Sequence, residues 1–501
     1  MTSYVVVPKT LNISEIENKG FALSPSLFRR VEIKNQNVKT VSGLLTQEPI
    51  AGKEVGSNSY IDIETGYKFI RTKAFTPYSF LPDLSINGSF EYLRPKDFEN
   101  AKGKNSQRII KEGDILFVTG GNVGEVVIAD EILDNSIPSS HILKLFFDNK
   151  IKYYILAFLK NEFCKIQSNF GPIGAIGGLD TFDKDTLLSI SIPFPNQKNS
   201  DEVIEYVELL TKAIINKEKE IRRKHKLILE KIEKELLENQ KPNKFEYKLP
   251  DILEIEKVGR LDTKLYKRNF KYYEFLIQNY KGGFFYLEES DLRGGSTPKQ
   301  NERIFGKGEF TWVTPTFISK YGYLDNIEKI AIKSKKNNIK RNCLILINRG
   351  NKEDLIRGFY YDYKDLGEGH HNQGCYRIEN GNYNLIFLTA LLNSQFYRNF
   401  VSNLSVGSKM PEIKISQIIN IPFPNFPESK QKEIAELYYN PVDYPTDLNL
   451  NNFLEEDSKW NEKAGILQLD LSAKKLKERL NEVIYQIVMD EEISIHFNFT
   501  L

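Results

Sequence analysis

The sequence predicts an α+β protein, with two tandem mixed α/β domains joined by long helices that pair as an antiparallel coiled coil. Three observations carry that expectation. Ile192-Pro193-Phe194-Pro195-Asn196 returns as Ile421-Pro422-Phe423-Pro424-Asn425. At the same offset, Ile110-Lys111-Glu112-Gly113-Asp114-Ile115-Leu116 falls on Ile339-Lys340-Arg341-Asn342-Cys343-Leu344-Ile345, and Gly121-Asn122 falls on Gly350-Asn351. Between the copies lies Asp201 to Gln240, where Val207, Ile214, Ile221 and Ile228 recur every seven residues among Lys, Arg and Glu. Strings that repeat at one offset read as a duplicated domain. A narrow apolar stripe on a long charged helix needs a second helix to cover it.

Length and composition set the bounds. A chain of 501 residues exceeds a single hydrophobic core, so two or three domains are expected. With 40% hydrophobic and 27% charged residues, it has enough apolar side chains to fold and is not disordered. The longest apolar run, Tyr153 to Leu159, is too short to cross a bilayer, so no membrane partner is expected. Met1 to Leu11 carries no secretory pattern. Cys164, Cys343 and Cys375 are too widely spaced for a disulfide framework or a zinc site, which fits a reducing, cytoplasmic location. A net charge of +2 confines any nucleic-acid surface to a local patch.

The elements follow in order. Asp114 to Thr119 and Leu344 to Asn348 read as buried strands, each followed by a second strand, Glu125 to Ala129 and Leu355 to Tyr361. One helix is expected next in each copy, Lys152 to Gln167 and Asn384 to Ser402. Leu159 to Phe163 (LKNEF) there echoes Leu392 to Phe396 (LNSQF), with the length difference returned in the loops Gly171 to Gly178 and Ser405 to Lys409. Ser189 to Pro195 and Ile418 to Pro424 read as edge strands or extended exits, because proline cannot donate to a ladder. The expected domains are 1–199, a spacer helix 200–242, a second domain 243–430, a helix start and polar loop 431–469, and a distal helix with tail 470–501. Asn199 with Glu202 gives a capping-box start to the spacer helix, and Pro242 closes the segment. Its seam of Val207, Ile214, Ile221 and Ile228 is expected to meet Leu476, Leu480, Val483 and Ile487 of the distal helix.

Catalytic chemistry is hard to find. The chain has neither the glycine-rich cofactor loop and acidic-Pro-Pro-aromatic motif of a methyltransferase nor a phosphate-binding loop for an ATP motor. No catalytic, cofactor-binding or metal residues are therefore assigned. Gly120-Gly121-Asn122-Val123-Gly124 reads as a turn between strands, since a dinucleotide loop would lead into a helix. His370-His371 with Cys375 lacks a second cluster to complete a tetrahedral metal set. Pro250-Asp251 with Asp262 and Lys264 matches a loose Mg-dependent nuclease pattern, which keeps a self-contained nuclease open as an alternative. A helical protein-binding scaffold is another. Cations that could position DNA phosphates cluster at Lys96, Lys102, Lys104 and Arg108, at Arg293, Lys299, Arg303 and Lys307, and at Lys333, Lys335, Lys336, Lys340 and Arg341.

Arg293-Gly294-Gly295-Ser296-Thr297-Pro298-Lys299, followed by Gly308-Glu309-Phe310-Thr311-Trp312-Val313-Thr314, carries a resemblance, as do the Ile-Pro-Phe-Pro exits into helix. In these features the chain resembles the DNA-specificity (S) subunit of a Type I restriction-modification enzyme. A serine stands between the glycines and Thr297. The first copy has Phe69-Ile70-Arg71-Thr72 in place of Trp312-Val313-Thr314 and no Gly-Thr-Pro string, and the loop from Tyr438 to Asn461 departs from the pattern. The resemblance implies two target-recognition domains, each reading half of a bipartite asymmetric site in double-stranded DNA, with Ser296 and Thr297 among the contacts. It implies helices that fix the unread spacer and dock two modification subunits, and through them the restriction/translocase subunits. S-adenosylmethionine, ATP and Mg would belong to those partners. This chain would be a non-catalytic component of a phage-defence system.

Overall fold

The computed structural model describes residues 4–499 apart from 7, 19–20, 22–29, 170–173, 177–178, 182–183, 334–336, 380 and 408–409. Two compact units divide the chain. One comprises Met1–Glu218, Asp443–Trp460 and Leu471–Leu501, the other Lys219–Val442 and Asn461–Asp470.

In the first unit, alternation along Ile115–Val118 decides the layering. Ile115 and Phe117 join a core with Tyr154 and Phe158, whereas Leu116 and Val118 join another with Ile70 and Phe75. A strand covered on both faces is apolar at every position. This strand is central in an antiparallel sheet ordered Ile50–Ala51, Ile142–Leu145, Ile115–Val118, Val126–Ile128. A second sheet is ordered Ser136–Pro138, Lys68–Ile70, Phe90–Leu93, Tyr60–Ile61, with its first pair parallel.

The second unit repeats this wiring. Leu292–Gly294, Cys375–Ile378, Cys343–Ile347 and Gly358–Tyr361 form the antiparallel sheet in the same order. Gly369–His371 runs parallel to Arg303–Val313, which pairs antiparallel with Glu328–Ile332. The proline-bearing exits are edge strands in both units, Ser191–Pro193 on Val38–Thr40 and Phe423–Pro424 on Phe284–Phe285.

Where one helix per copy was expected, there are two. Lys152–Lys160 is followed by Glu162–Asn169, and Leu385–Leu392 by Gln395–Ser402. The breaks fall inside the echoed LKNEF and LNSQF strings. Asn161 and Ser394 take extended backbone and cap the next helix, Asn161 Oδ1 accepting from Phe163 N at 2.8 Å and Ser394 Oγ from Tyr397 N at 3.3 Å. The string is a capping signal that overrides the apolar periodicity around it.

The exits are held alike but by different helices. Tyr154, on the first helix of its pair, donates to Pro193 O at 2.6 Å and stacks on Phe194. Tyr397, on the second helix of its pair, donates to Pro422 O at 2.8 Å and stacks on Phe423. Burial pushes both phenols well above their ordinary pKa, so they remain donors. Tyr154→Phe and Tyr397→Phe are each expected to cost about 1–2 kcal/mol in urea unfolding, by leaving a buried carbonyl unpaired.

The central helix runs Ser200–Glu238, roughly 60 Å long at the ordinary rise. The division between units falls within it, at Glu218 and Lys219. Val207 and Ile214 share a core with Leu476, Leu480, Val483 and Ile487 of the distal helix Ile466–Met489. Ile221 and Ile228 are buried too, but lie outside that core, on the stretch belonging to the second unit. There Lys231 pairs with Glu433 on the helix Glu428–Tyr438. One seam is thus divided between the two units. The tail read as a loop up to Asn461 contains a further helix, Phe453–Lys463.

A corresponding loop in each unit ties sheet to helices. In the first, Glu218 accepts from Phe80 N at 2.9 Å and Ser79 Oγ at 2.8 Å, and Lys477 bridges Glu218 to Tyr78 O. In the second, Tyr321 meets His225 edge-to-face and the Tyr438 hydroxyl donates to Gly322 O.

Candidate nucleic-acid interface

The glycine-rich motif begins as the edge strand Leu292–Gly294 and leaves it at Gly295. Gly295 N donates to Cys375 O and Ser296 N to His371 O, at 3.2 and 3.1 Å. A Cβ on Gly295 would lie 2.1 Å from Asn372 O, so only glycine allows this approach. The first unit holds the same loop without the motif. Gly52 N donates to Ile142 O and Lys53 N to Pro138 O, both at 3.0 Å, and a Cβ on Gly52 would lie 2.1 Å from Ser139 O. Sequence reading missed Gly52, whose one legible signal is a lone glycine two residues beyond Ile50.

The motif tryptophan explains its spacing from the glycines. Trp312 stacks on His370 with centroids 5.7 Å apart, and His370 in turn meets the Ser296 carbonyl at 3.0 Å through Nε2. Burial lowers the pKa of His370, and pushes that of His371 down to about 3, so both rings are neutral. On its other side, His370 Nδ1 lies 3.1 Å from Asn338 Oδ1, an oxygen that accepts when Nδ1 carries the proton, and Nε2 also lies 3.1 Å from the Ser296 hydroxyl, which can then donate to it.

Beyond Trp312, the strand Arg303–Val313 carries a bulge. Phe305 and Phe310 both pair with Ile330, leaving residues 306–309 looped out. Gly306 and Gly308 take positive φ there, 71° and 109°. The Arg303 guanidinium lies over the Phe305 ring, which meets Trp312 at 6.1 Å. Ring and cation contacts therefore run unbroken from the Ser296 loop to the bulged hairpin.

The candidate cations are placed unevenly. Lys299 and Lys307 are exposed, Arg303 is half-buried, and Arg293 and Thr297 are exposed on the motif loop. These, with the half-buried Ser296, share one region of the second unit. In the first unit Lys96 and Lys104 are exposed, while Lys102 pairs with Glu99 at 2.6 Å. Arg108 donates to Ala51 O at 3.2 Å and Ala101 O at 3.4 Å, so its guanidinium braces the strand before Gly52. Lys333, Lys340 and Arg341 are exposed, and Lys335 and Lys336 lie outside the described residues.

The nuclease pattern has a structural explanation. Asp251 caps the helix Ile252–Val258 by accepting from Glu254 N, and Asp262 caps a short turn by accepting from Lys264 N. No group of potential metal ligands occurs among the described residues, and no described helix is long and apolar enough to cross a membrane. Gly121 and Gly124, both at positive φ, form the turn expected between strands.

Residues 70–223 match the family model described as the Type I restriction modification DNA specificity domain. That span runs from the strand Lys68–Ile70 into the central helix. Over 422 residues, 80% of this chain and 88% of the relative, the protein is 24% identical to the Type I restriction enzyme MjaVIII specificity subunit of Methanocaldococcus jannaschii. Among solved structures, the Type-I restriction-modification system S subunit from M. genitalium covers 92% of this chain and 96% of its own, at 12% identity and a TM-score of 0.40. The HsdS subunit from Thermoanaerobacter tengcongensis covers 90% and 96%, at 11% identity and a TM-score of 0.27. Residues 70–223 thus match the Type I restriction modification DNA specificity domain, and along most of its length the chain is similar to a Type I restriction enzyme specificity subunit.

Proposed function

We propose that the chain reads a bipartite, asymmetric sequence in double-stranded DNA, one half with each unit, and that the long helices set the number of unread base pairs. The observation that carries this is the repeated wiring: two units with one strand order present corresponding glycine loops, at Gly52 and Gly295, on corresponding strands. A helix continuous through both units gives the reading its ruler, since joined readers can address only half-sites whose separation and helical phase match the joint. Lys96, Lys102 and Lys104 in the first unit position phosphates. In the second, Arg293, Ser296, Thr297, Lys299, Arg303 and Lys307 do so or reach base edges. Two modification subunits dock on the helices and bring S-adenosylmethionine; restriction and translocase subunits follow with ATP and Mg.

The test is methylome sequencing of a strain carrying the chain with its modification partner. Wild type is expected to give a two-part motif. Four residues inserted after Arg223, about one helical turn, are expected to lengthen the spacer or abolish modification while leaving the half-site letters unchanged. Altered letters at an unaltered spacer contradict the ruler.

A further inference from the structure

We propose that the bulged hairpin of the second unit enters the major groove of its half-site, and that Ile304 and Phe305 read thymine methyl groups there. This rests on the DNA-reading function above and names the device by which one unit carries it out.

One strand of the hairpin is exposed at its outer end, while Ile330 of the partner strand is buried with Phe310 and Trp312. Neighbouring residues of a strand point to opposite faces, yet Ile304 and Phe305 are 59% and 43% exposed. Residues 304–309 are all exposed, and burial begins abruptly at Phe310. Neither face of this stretch is covered, as a ribbon that inserts into something requires. Its shape is built in: Gly308 sits so close to the backbone of Ile330 and Ala331 that a Cβ would lie 2.4 Å from Ala331 N.

Phe305 is held ready. The edge-to-face contact with Trp312 and the Arg303 guanidinium over the ring fix its direction, so little side-chain freedom is lost on binding. Charge selects the occupant. Exposed Lys299, Lys307 and Lys333 and the half-buried Arg303 border the apolar pair, against Glu302 and Glu309. The Glu302 carboxylate already accepts from Lys299 N. An excess of cations around an apolar tip suits a polyanion with apolar groups inside its groove. The major groove of DNA, about 12 Å wide, admits a two-stranded ribbon, and the thymine methyl is its apolar mark. The first unit lacks the extension, because its corresponding strand, Lys68–Ile70, is only three residues long.

The experiment compares wild type, Ile304→Ser, Phe305→Ser and Lys307→Gln in the full chain with its modification partner. Methylome sequencing is expected to show one half-site losing definition at one or two A·T positions in both serine variants. The other half-site and the spacer should keep their form. Lys307→Gln should leave every letter unchanged and weaken binding. Replacing thymine by uracil at the relaxed positions should weaken wild type roughly 4-fold for each methyl group removed, the loss expected for one buried methyl, and Phe305→Ser no further. Unchanged letters in both serine variants, or equal wild-type affinity for thymine and uracil sites, overturns the ribbon while DNA reading stands. A wild type with no two-part motif overturns both.

Discussion

Asp457→Ala is expected to destabilise the first unit by about 3–5 kcal/mol. Lys217 and Asp457 are 0% and 1% exposed, with Nζ 2.5 Å from Oδ1. The ammonium also lies 4.5 Å from the Trp460 ring centroid and 5.3 Å from that of Tyr444, whose hydroxyl donates to the same carboxylate oxygen. Removing the carboxylate takes the ion-pair partner from a fully buried ammonium, and the ring faces beside it attract the charge far less than a carboxylate does. Burial lowers the Lys217 pKa to about 8, with Asp457 pulling it back up, so losing Asp457 lowers it further. A lysine whose folded pKa lies below its unfolded value of 10.5 binds fewer protons folded than unfolded, and its cost shrinks as pH rises through that window. The gap between variant and wild type in urea unfolding should therefore narrow from pH 7 to pH 9. Pairing Lys217→Met with Asp457→Asn should recover most of the loss, because no buried charge remains. A gap independent of pH, or a double variant as unstable as the single, would show that the pair does not hold the helix Phe453–Lys463 in place.

Gly52→Ala and Gly295→Ala should each cost about 2–4 kcal/mol, through overpacking and the loss of backbone hydrogen bonds. The new methyl carbon would meet backbone at 2.1 Å in both cases, Ser139 O in one and Asn372 O in the other, and backbone cannot rotate aside. Relief requires the loop to leave the neighbouring strand. The bonds from Gly52 and Lys53 to Ile142 and Pro138, or from Gly295 and Ser296 to Cys375 and His371, are then lost. Each substitution should erase the letters of one half-site, and not the same one. Methylome sequencing of the two strains checks this, with urea unfolding as the measure of stability. Both variants relaxing the same half-site would show that the loops are not counterparts.

These positions show how far the chain could be read in advance. The repeated Ile-Pro-Phe-Pro and the echoed helix strings announced the duplication, because covalent neighbours carry them. Gly52 was invisible: nothing near it resembles Gly295-Ser296-Thr297-Pro298, and only strand pairing with residues far along the chain makes the two loops counterparts. Arg108 looked like its neighbouring lysines until its guanidinium was seen on the Ala51 and Ala101 carbonyls. The Asp251 and Asp262 carboxylates matched a metal pattern by residue type alone, and each turned out to cap its own helix or turn.

By itself the sequence determined the repeat, the long central helix and its apolar seam, since each is a relation between residues within a few turns or between copied strings. The tertiary structure decided what the seam packs against, that Lys217 finds Asp457, and that the Trp312 motif leads out to the exposed stretch 304–309. Those outcomes depend on which surfaces meet after the chain has folded back on itself, and no local periodicity encodes a partner more than two hundred residues away.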